Sequence, residues 1–265
     1  MSPSKKYGRT LHAQISLGTT SDDRFMPDGY VRAFADLDQL VITEKLDGQN
    51  NCFNQSGVYA RSHLSPTLHP WDKPMRERWE LIKNDLGNLE VFGENMFGIH
   101  SIEYRRLESY FYVFAIRQGD QWLSWEEVCF YAAMLDFPVV PELTFPIRLD
   151  ACFVPGLGEN QVLEKWLTQN LGMPWEDWVH TPGSLGGFDP KSGKAACEGL
   201  VVRNKNGFRE NEGPIPVADN EFNQLFKLVR KGHVTTETHW TKIWQPASLL
   251  SCDTYKWYGY EYLIR

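Results

Sequence analysis

In Glu44-Lys45-Leu46-Asp47-Gly48 a lysine sits between two carboxylates and just before a glycine. These residues could make a nucleophile. A lysine amine attacks only when neutral, so burial or neighbouring cations must lower its pKa. The glycine would let a bulky phosphate approach the backbone closely. The pattern Lys-x-Asp-Gly is short, and it equally describes a surface turn with a solvated lysine. Four more positions carry comparable chemistry. Arg61 follows a short apolar run and could hold a phosphate with its planar fork, or face solvent at a strand end. Glu94 follows Phe92-Gly93, placed for a ribose hydroxyl or a cation, or as an ordinary turn residue. Glu198-Gly199 opens the β-branched run Leu200-Val201-Val202. Lys227 lies inside the apolar run Leu225 to Val229, where an ammonium is costly without an anionic partner.

The elements that must carry these residues are legible in outline. Leu40 to Ile42 reads as a buried strand delivering Lys45 to a turn at Asp47 and Gly48. Residues 51–54 and 58–60 flank Gln55-Ser56-Gly57 as a hairpin, which would fold Arg61 back toward Lys45. Met75, Trp79, Ile82 and Leu86 form a helical stripe within 71–86 that packs on a sheet. Leu89 to Gly93 is a short strand. Phe111 to Ile116 is the clearest one, and period two sends Phe111, Val113 and Ala115 to one face and Tyr112, Phe114 and Ile116 to the other. Ser124 and Glu127 form a capping box for a helix ending before Pro138. A second helix spans about 159–171, with Gly172 as its C-terminal cap. Residues 141–157 read as a loop with a short strand, 172–197 as irregular, and the cluster from Gly18 to Arg24 as a loop. Strands follow at 199–203 and 224–229, with Arg230, Lys231 and His233 extending the basic character. The tail carries Trp240, Trp244, Trp257, Tyr258, Tyr260 and Tyr262, and is expected to pack on the main sheet.

The 265 residues allow one large domain or two small ones, and a hydrophobic content of 42% supports a real core. The formal net charge of −7 argues against broad non-specific nucleic-acid binding but leaves room for a local basic groove. With 10 Trp, 11 Tyr and 15 Phe, aromatics can serve the core, a base-stacking pocket or both. No membrane span and no signal peptide are expected. Cys52, Cys129, Cys152, Cys197 and Cys252 fit neither a zinc spacing nor a disulfide framework, and read as reduced, mostly buried thiols of a cytoplasmic protein. His63 and His69 lack the spacing or partner motif of metal ligands.

Five loaded elements therefore stand in order: Glu44 to Gly48, Phe92 to Glu94, Phe111 to Phe114, Glu198-Gly199 and Phe226-Lys227. In this order the chain, over about residues 7–240, resembles the covalent nucleotidyltransferase superfamily of ligases and capping enzymes. It is most similar to the ATP-dependent RNA ligases that join 3′-OH and 5′-phosphate ends. The resemblance implies an α+β fold: an adenylation domain of two twisted antiparallel sheets flanked by helices, with nucleotide between them and no OB-fold. The domain would cover residues 1–240, with 241–265 an aromatic-rich tail on the same body.

It also implies roles. Lys45 would attack the α-phosphate of ATP to give lysyl-AMP, and Glu44 would lie against adenine in part through its backbone. Asp47 would orient the nucleophile or a metal, and Asn50 would act in strand joining. Arg61 would contact a phosphate, Glu94 the ribose and Phe114 the adenine ring. Glu198 would bind Mg²⁺ or Mn²⁺ or its water shell, and Lys227 would neutralise the α-phosphate. Relatives often have Lys-x-Lys at the last motif. Here Val229 takes the second position, leaving Arg230 or Lys231 as replacements. An end-healing kinase or phosphatase is the partner that the resemblance implies, and an inactive nucleic-acid-binding relative or a DNA ligase are the alternatives to an RNA ligase.

Overall fold

The computed structural model describes residues 5–250 apart from 38, 145–146, 210–211, 220, 233–239 and 243. His233, Cys252 and the tail aromatics Trp257, Tyr258, Tyr260 and Tyr262 lie outside the described residues. The chain runs β1 (Arg9–His12), α1 (Tyr30–Ala35), β2 (Leu40–Lys45), β3 (Gln49–Asn54), β4 (Gly57–Ala60), α2 (Lys73–Ile82), β5 (Leu89–Asn95), β6 (Glu103–Tyr104), β7 (Phe111–Gln118) and β8 (Gln121–Trp122). It continues through α3 (Trp125–Met134), β9 (Glu142–Thr144), α4 (Glu159–Leu171), α5 (Trp175–Trp178), β10 (Gly187–Phe188), β11 (Gly199–Asn204), β12 (Phe208–Arg209) and β13 (Glu221–Val229).

Two sheets face each other. One has the order β1-β13-β11-β2-β9 and the other β12-β8-β7-β5-β3-β4. The α+β architecture of two flanked sheets thus holds. Among the described residues the strands named above pair antiparallel, except that β1 runs parallel to β13, with His12 beside Lys227. That pairing was not legible, because residues 9–12 carry no period-two pattern.

Each sheet buries its outer face under helices. The stripe of α2 and the face of α3 cover the six-stranded sheet, joining Met75, Ile82, Val128 and Ala132 to Phe53, Val91 and Ile116. Helices α1, α4 and α5 cover the other, joining Phe34, Val162, Trp166 and Trp175 to Ile42, Val202 and Phe226. The capping box is present: Ser124 Oγ accepts from the Glu127 N–H, and the Glu127 carboxylate accepts from the Ser124 N–H. Gly172 ends α4 at φ 74°, a left-handed conformation that a Cβ would penalise. The expected helix over 71–86 is shorter, because Pro70–Asp72 forms a separate 3₁₀ turn and the chain turns after Ile82. The 172–197 stretch is less irregular than its composition implies, containing α5 and β10.

The inner faces meet in an aromatic cluster, in which Tyr7 packs on Phe92, Phe114, Trp122 and Phe222 at centroid distances of 5.5, 5.1, 5.3 and 4.7 Å. Here β7 departs from strict alternation. The β5–β7 register slips between Phe92 and Gly93, so that Phe92 faces Ala115, Gly93 faces Val113 and Phe114 has no opposite number. A bulge of this kind re-aims a side chain. Phe111, Tyr112 and Val113 all join the outer core, while Phe114 reaches the inner cluster.

Candidate active site

The chain crosses from one sheet to the other between the end of β2 at Lys45 and the start of β3 at Gln49. Asp47 pins this crossing. Its carboxylate Oδ2 accepts from the N–H groups of Ser101 and Ile102, both at 2.8 Å, and its own N–H donates to Tyr104 Oη at 2.9 Å. Gly48 lies against β5. A Cβ there would stand 2.6 Å from the Asn95 carbonyl oxygen and 2.9 Å from Met96 Sδ. The glycine is therefore required by strand packing, and it also lines the cavity described next.

Above the crossing, a cavity of about 520 Å³ opens between the sheets. Glu44, Lys45, Asn50, Arg61, Glu94, Phe114 and Lys227 all line it. Glu198 joins them through its ion pair with Lys45, Nζ to Oε1 at 2.7 Å. Glu44 contributes differently from its neighbour. Alternation along β2 turns its carboxylate away, where Oε2 accepts from the Ser184 N–H at 2.9 Å. The Gly48 N–H donates to Glu94 Oε1 at 3.2 Å, tying β5 to the crossing. Asp47 is not a lining residue, and its carboxylate is committed to the 101–102 backbone. Neither Arg230 nor Lys231 lines the cavity. Val229 is buried, and its N–H donates to Ser16 Oγ at 2.9 Å.

The electrostatics depart from a simple activated amine. Burial pushes the Lys45 pKa down, but the carboxylates of Glu198, Glu94 and Asp47 outweigh it and hold the ammonium above the ordinary lysine value. Burial lifts Glu94 to about 7 against the pull of Lys45, aided by repulsion from Glu198 and Asp47. Lys227 is lowered to about 8, by burial first and then by the Lys45 charge. Without substrate, the expected nucleophile is thus the better-held cation of the two.

Several lining residues had no clear sequence signal: Tyr7, Thr10, His100 and Trp240, the last stacked on His100 at 3.8 Å. Arg203 had one, since a charged side chain inside a buried strand needs partners just as Lys227 does. It donates to the carbonyls of Phe114 at 2.9 Å and Leu123 at 3.2 Å. The partner of Lys227 is Asp23, from the cluster read as a loop. Asp23 Oδ1 lies 3.9 Å from Lys227 Nζ and 3.2 Å from Nε2 of the buried His12. A smaller hollow of about 300 Å³ adjoins the cavity through Tyr7 and Arg61 and adds Lys6, Arg9 and Arg24, with Asp219 and Glu221 opposite. Local basic character therefore exists despite the acidic whole.

A family model described as RNA ligase matches residues 38–229. The chain belongs to the RNA ligase family. No curated protein matches in a sequence comparison. Among solved structures, this RNA ligase family member is similar to an RNA ligase from Naegleria gruberi, an apo mutant form, with 17% identity and a TM-score of 0.45 over 84% of this chain and 58% of that one. It is also similar to an archaeal ATP-dependent RNA ligase, with 13% identity, a TM-score of 0.45 and coverages of 85% and 48%. A putative ATP-dependent DNA ligase from Aquifex aeolicus gives 13%, 0.42, 85% and 50%. The chain spans about half the length of these solved proteins. No helix among the described residues is long and apolar enough to cross a membrane.

Proposed function

We propose that the protein is an ATP-dependent RNA ligase that first adenylylates itself on Lys45. The observation that carries this reading is the convergence of Lys45, Glu94, Phe114, Arg61 and Lys227 on one cavity, with Glu198 2.7 Å from the Lys45 ammonium. Phe114 offers a ring face for adenine, Glu94 an acceptor for ribose hydroxyls, and Lys227 with Arg61 cations for phosphate oxygens. Lys45 Nζ loses a proton and forms a bond to the α-phosphorus while the bond to the pyrophosphate oxygen breaks. Covalent capture divides one hard transfer into easier ones. AMP then passes to the 5′-phosphate of an RNA end, and a 3′-OH displaces it to form the phosphodiester. Asn50 and Arg61, both on the cavity wall, serve these later steps. Ends of other chemistry would first need kinase or phosphatase processing.

The donor set also suits a divalent cation of the Mg²⁺ or Mn²⁺ type. Glu198 and Glu94 lie close enough to repel, and both act on the Lys45 ammonium, so their oxygens converge on one side of the cavity. Bound there, the ion would neutralise phosphate charge and compete with the proton on Lys45.

Incubation with ATP labelled in the α-phosphate, with Mg²⁺, tests the reading. Label is expected on the wild type, labile to acid and stable to alkali as a lysyl phosphoramidate is, and absent from Lys45→Ala. Unlabelled wild-type protein would favour a nucleic-acid-binding relative without activity. Sealing of nicks with RNA or DNA 3′ ends then separates the two polymers. Equal sealing of all-DNA nicks would move the assignment to DNA ligase.

A further inference from the structure

Cys52, His63 and Glu90 come from three separate segments, yet one ligand atom from each lies within 4.8 Å of the other two. The pairing of β3, β4 and β5 explains the meeting. Cys52 stands opposite Tyr59 on one side and Phe92 on the other. Glu90 is two residues before Phe92 and so shares its face. His63 follows β4 and stacks on Tyr59, with centroids 5.1 Å apart and planes at 11°. Its backbone is held at φ 53°, a left-handed conformation uncommon outside glycine, and its N–H donates to the Ala60 carbonyl at 2.9 Å. Both ring nitrogens are buried and have no hydrogen-bond partner among the described residues. Leaving such atoms unpartnered is costly unless something binds them.

We propose that Cys52, His63 and Glu90 form a site for a borderline divalent transition metal of the Zn²⁺ type, with water completing the set. Thiolate and imidazole together select such an ion over Mg²⁺. Metal–ligand bonds of about 2.0–2.3 Å require the three atoms to draw in by roughly an ångström. The half-buried turn carrying His63 is the part free to give. Arg117 Nε donates to Glu90 Oε2 at 2.7 Å and orients the carboxylate. A carboxylate has about four lone-pair sites, so this contact and a metal bond are compatible. Burial pushes the Cys52 thiol well above its ordinary value, so the thiol is protonated without metal. Binding forms the sulfur–metal bond and releases that proton to solvent, with no redox change.

The site has a structural consequence for the cavity. Asn50 precedes Cys52 by two residues, Arg61 precedes His63 by two, and Glu94 follows Glu90 by four. A metal joining the three segments would fix the turn that presents Arg61.

Cobalt titration of the full chain provides the test, because only a thiolate ligand gives an intense near-ultraviolet charge-transfer band. One equivalent of Co²⁺ is expected to saturate the band, and Zn²⁺ to abolish it. The band should vanish in Cys52→Ser, weaken at least ~10-fold in affinity in His63→Ala, and persist in Glu198→Gln, whose site holds no sulfur. No band in the wild type, or an undiminished band in Cys52→Ser, overturns the proposal. If Cys52→Ser does not fold, His63→Ala decides: unaltered cobalt affinity refutes the site.

Discussion

Replacing Glu198 by glutamine should change two readouts of Lys45 in opposite directions. In the ion pair the Lys45 ammonium stands 2.7 Å from the carboxylate. At an effective dielectric of 20 the bare Coulomb attraction is about 6 kcal/mol. Lys45 is 25% exposed, so water screens part of this. The net worth of a hydrogen bond to a charged group, about 1.5–3 kcal/mol, is the better scale. Losing that contact moves the protonation equilibrium of Lys45 toward the neutral amine. Below the lysine pKa, the neutral fraction therefore rises ~10–100-fold in Glu198→Gln. Acylation of Lys45 by a small activated ester, without metal or ATP and read by mass spectrometry, should accelerate by that factor. Adenylylation with ATP and Mg²⁺ should instead fall by at least ~10², the scale of one lost transition-state charge contact. Unchanged acylation would show that Glu198 does not hold the proton. Unchanged adenylylation would remove Glu198 from the reaction.

Lys227→Ala should lower the rate of label uptake from ATP by at least ~10²-fold. Because Lys227 is held near 8 before nucleotide binds, wild-type uptake at limiting ATP, which reports the free protein, should decline above about pH 8, whereas Lys227→Arg, charged throughout, should not decline there. Asp23 raises the Lys227 pKa, so Asp23→Asn should move the same decline to lower pH; a profile that stays in place would free Lys227 from Asp23. His12 is buried and lowered to about 4, chiefly by burial. Between pH 6.5 and 4 the unfolded chain binds the proton first, so stability is lost as pH falls through this window, by up to about 3 kcal/mol. His12→Gln should flatten that part of a melting-temperature profile. Gly48→Ala should cost about 1–3 kcal/mol through its contacts with Asn95 and Met96, measured by denaturant unfolding.

What the sequence revealed depended on how local each signal was. Lys45, Glu94, Glu198 and Lys227 were readable because each interrupts or ends an apolar run, and a charge there demands a reason. The capping box at Ser124 and the glycine after α4 are signals complete within four residues. Phe114 does line the cavity, but the alternation read for its strand was wrong, because a bulge is set by the partner strand and leaves no mark in its own. Asp23 was hidden for the opposite reason: a polar residue in a polar stretch looks like any loop, and only the parallel docking of β1 beside β13 brings it to Lys227. The same holds for Cys52, His63 and Glu90, whose spacing in the chain resembles no ligand motif although the sheet gathers them.

Without substrate, both lysines of the cavity are shifted away from the states the proposed reaction needs. Lys45 must be neutral, yet three carboxylates keep it charged. Lys227 must be charged, yet burial and Lys45 bring it to about 8. Each shift has a partner that the reactants would alter. Phosphate oxygens arriving at Lys227 add negative charge and raise its pKa. Glu198 and Glu94, if they held a cation, would lose the field that keeps the proton on Lys45. Removing charge from Lys45 also relieves Lys227, since each lowers the other's hold on a proton. In the proposed reaction the two changes would therefore reinforce one another, and the amine would become fully reactive when nucleotide and cation are both present. In this arrangement the carboxylates that make the lysine inert alone are the groups that tie its activation to substrate.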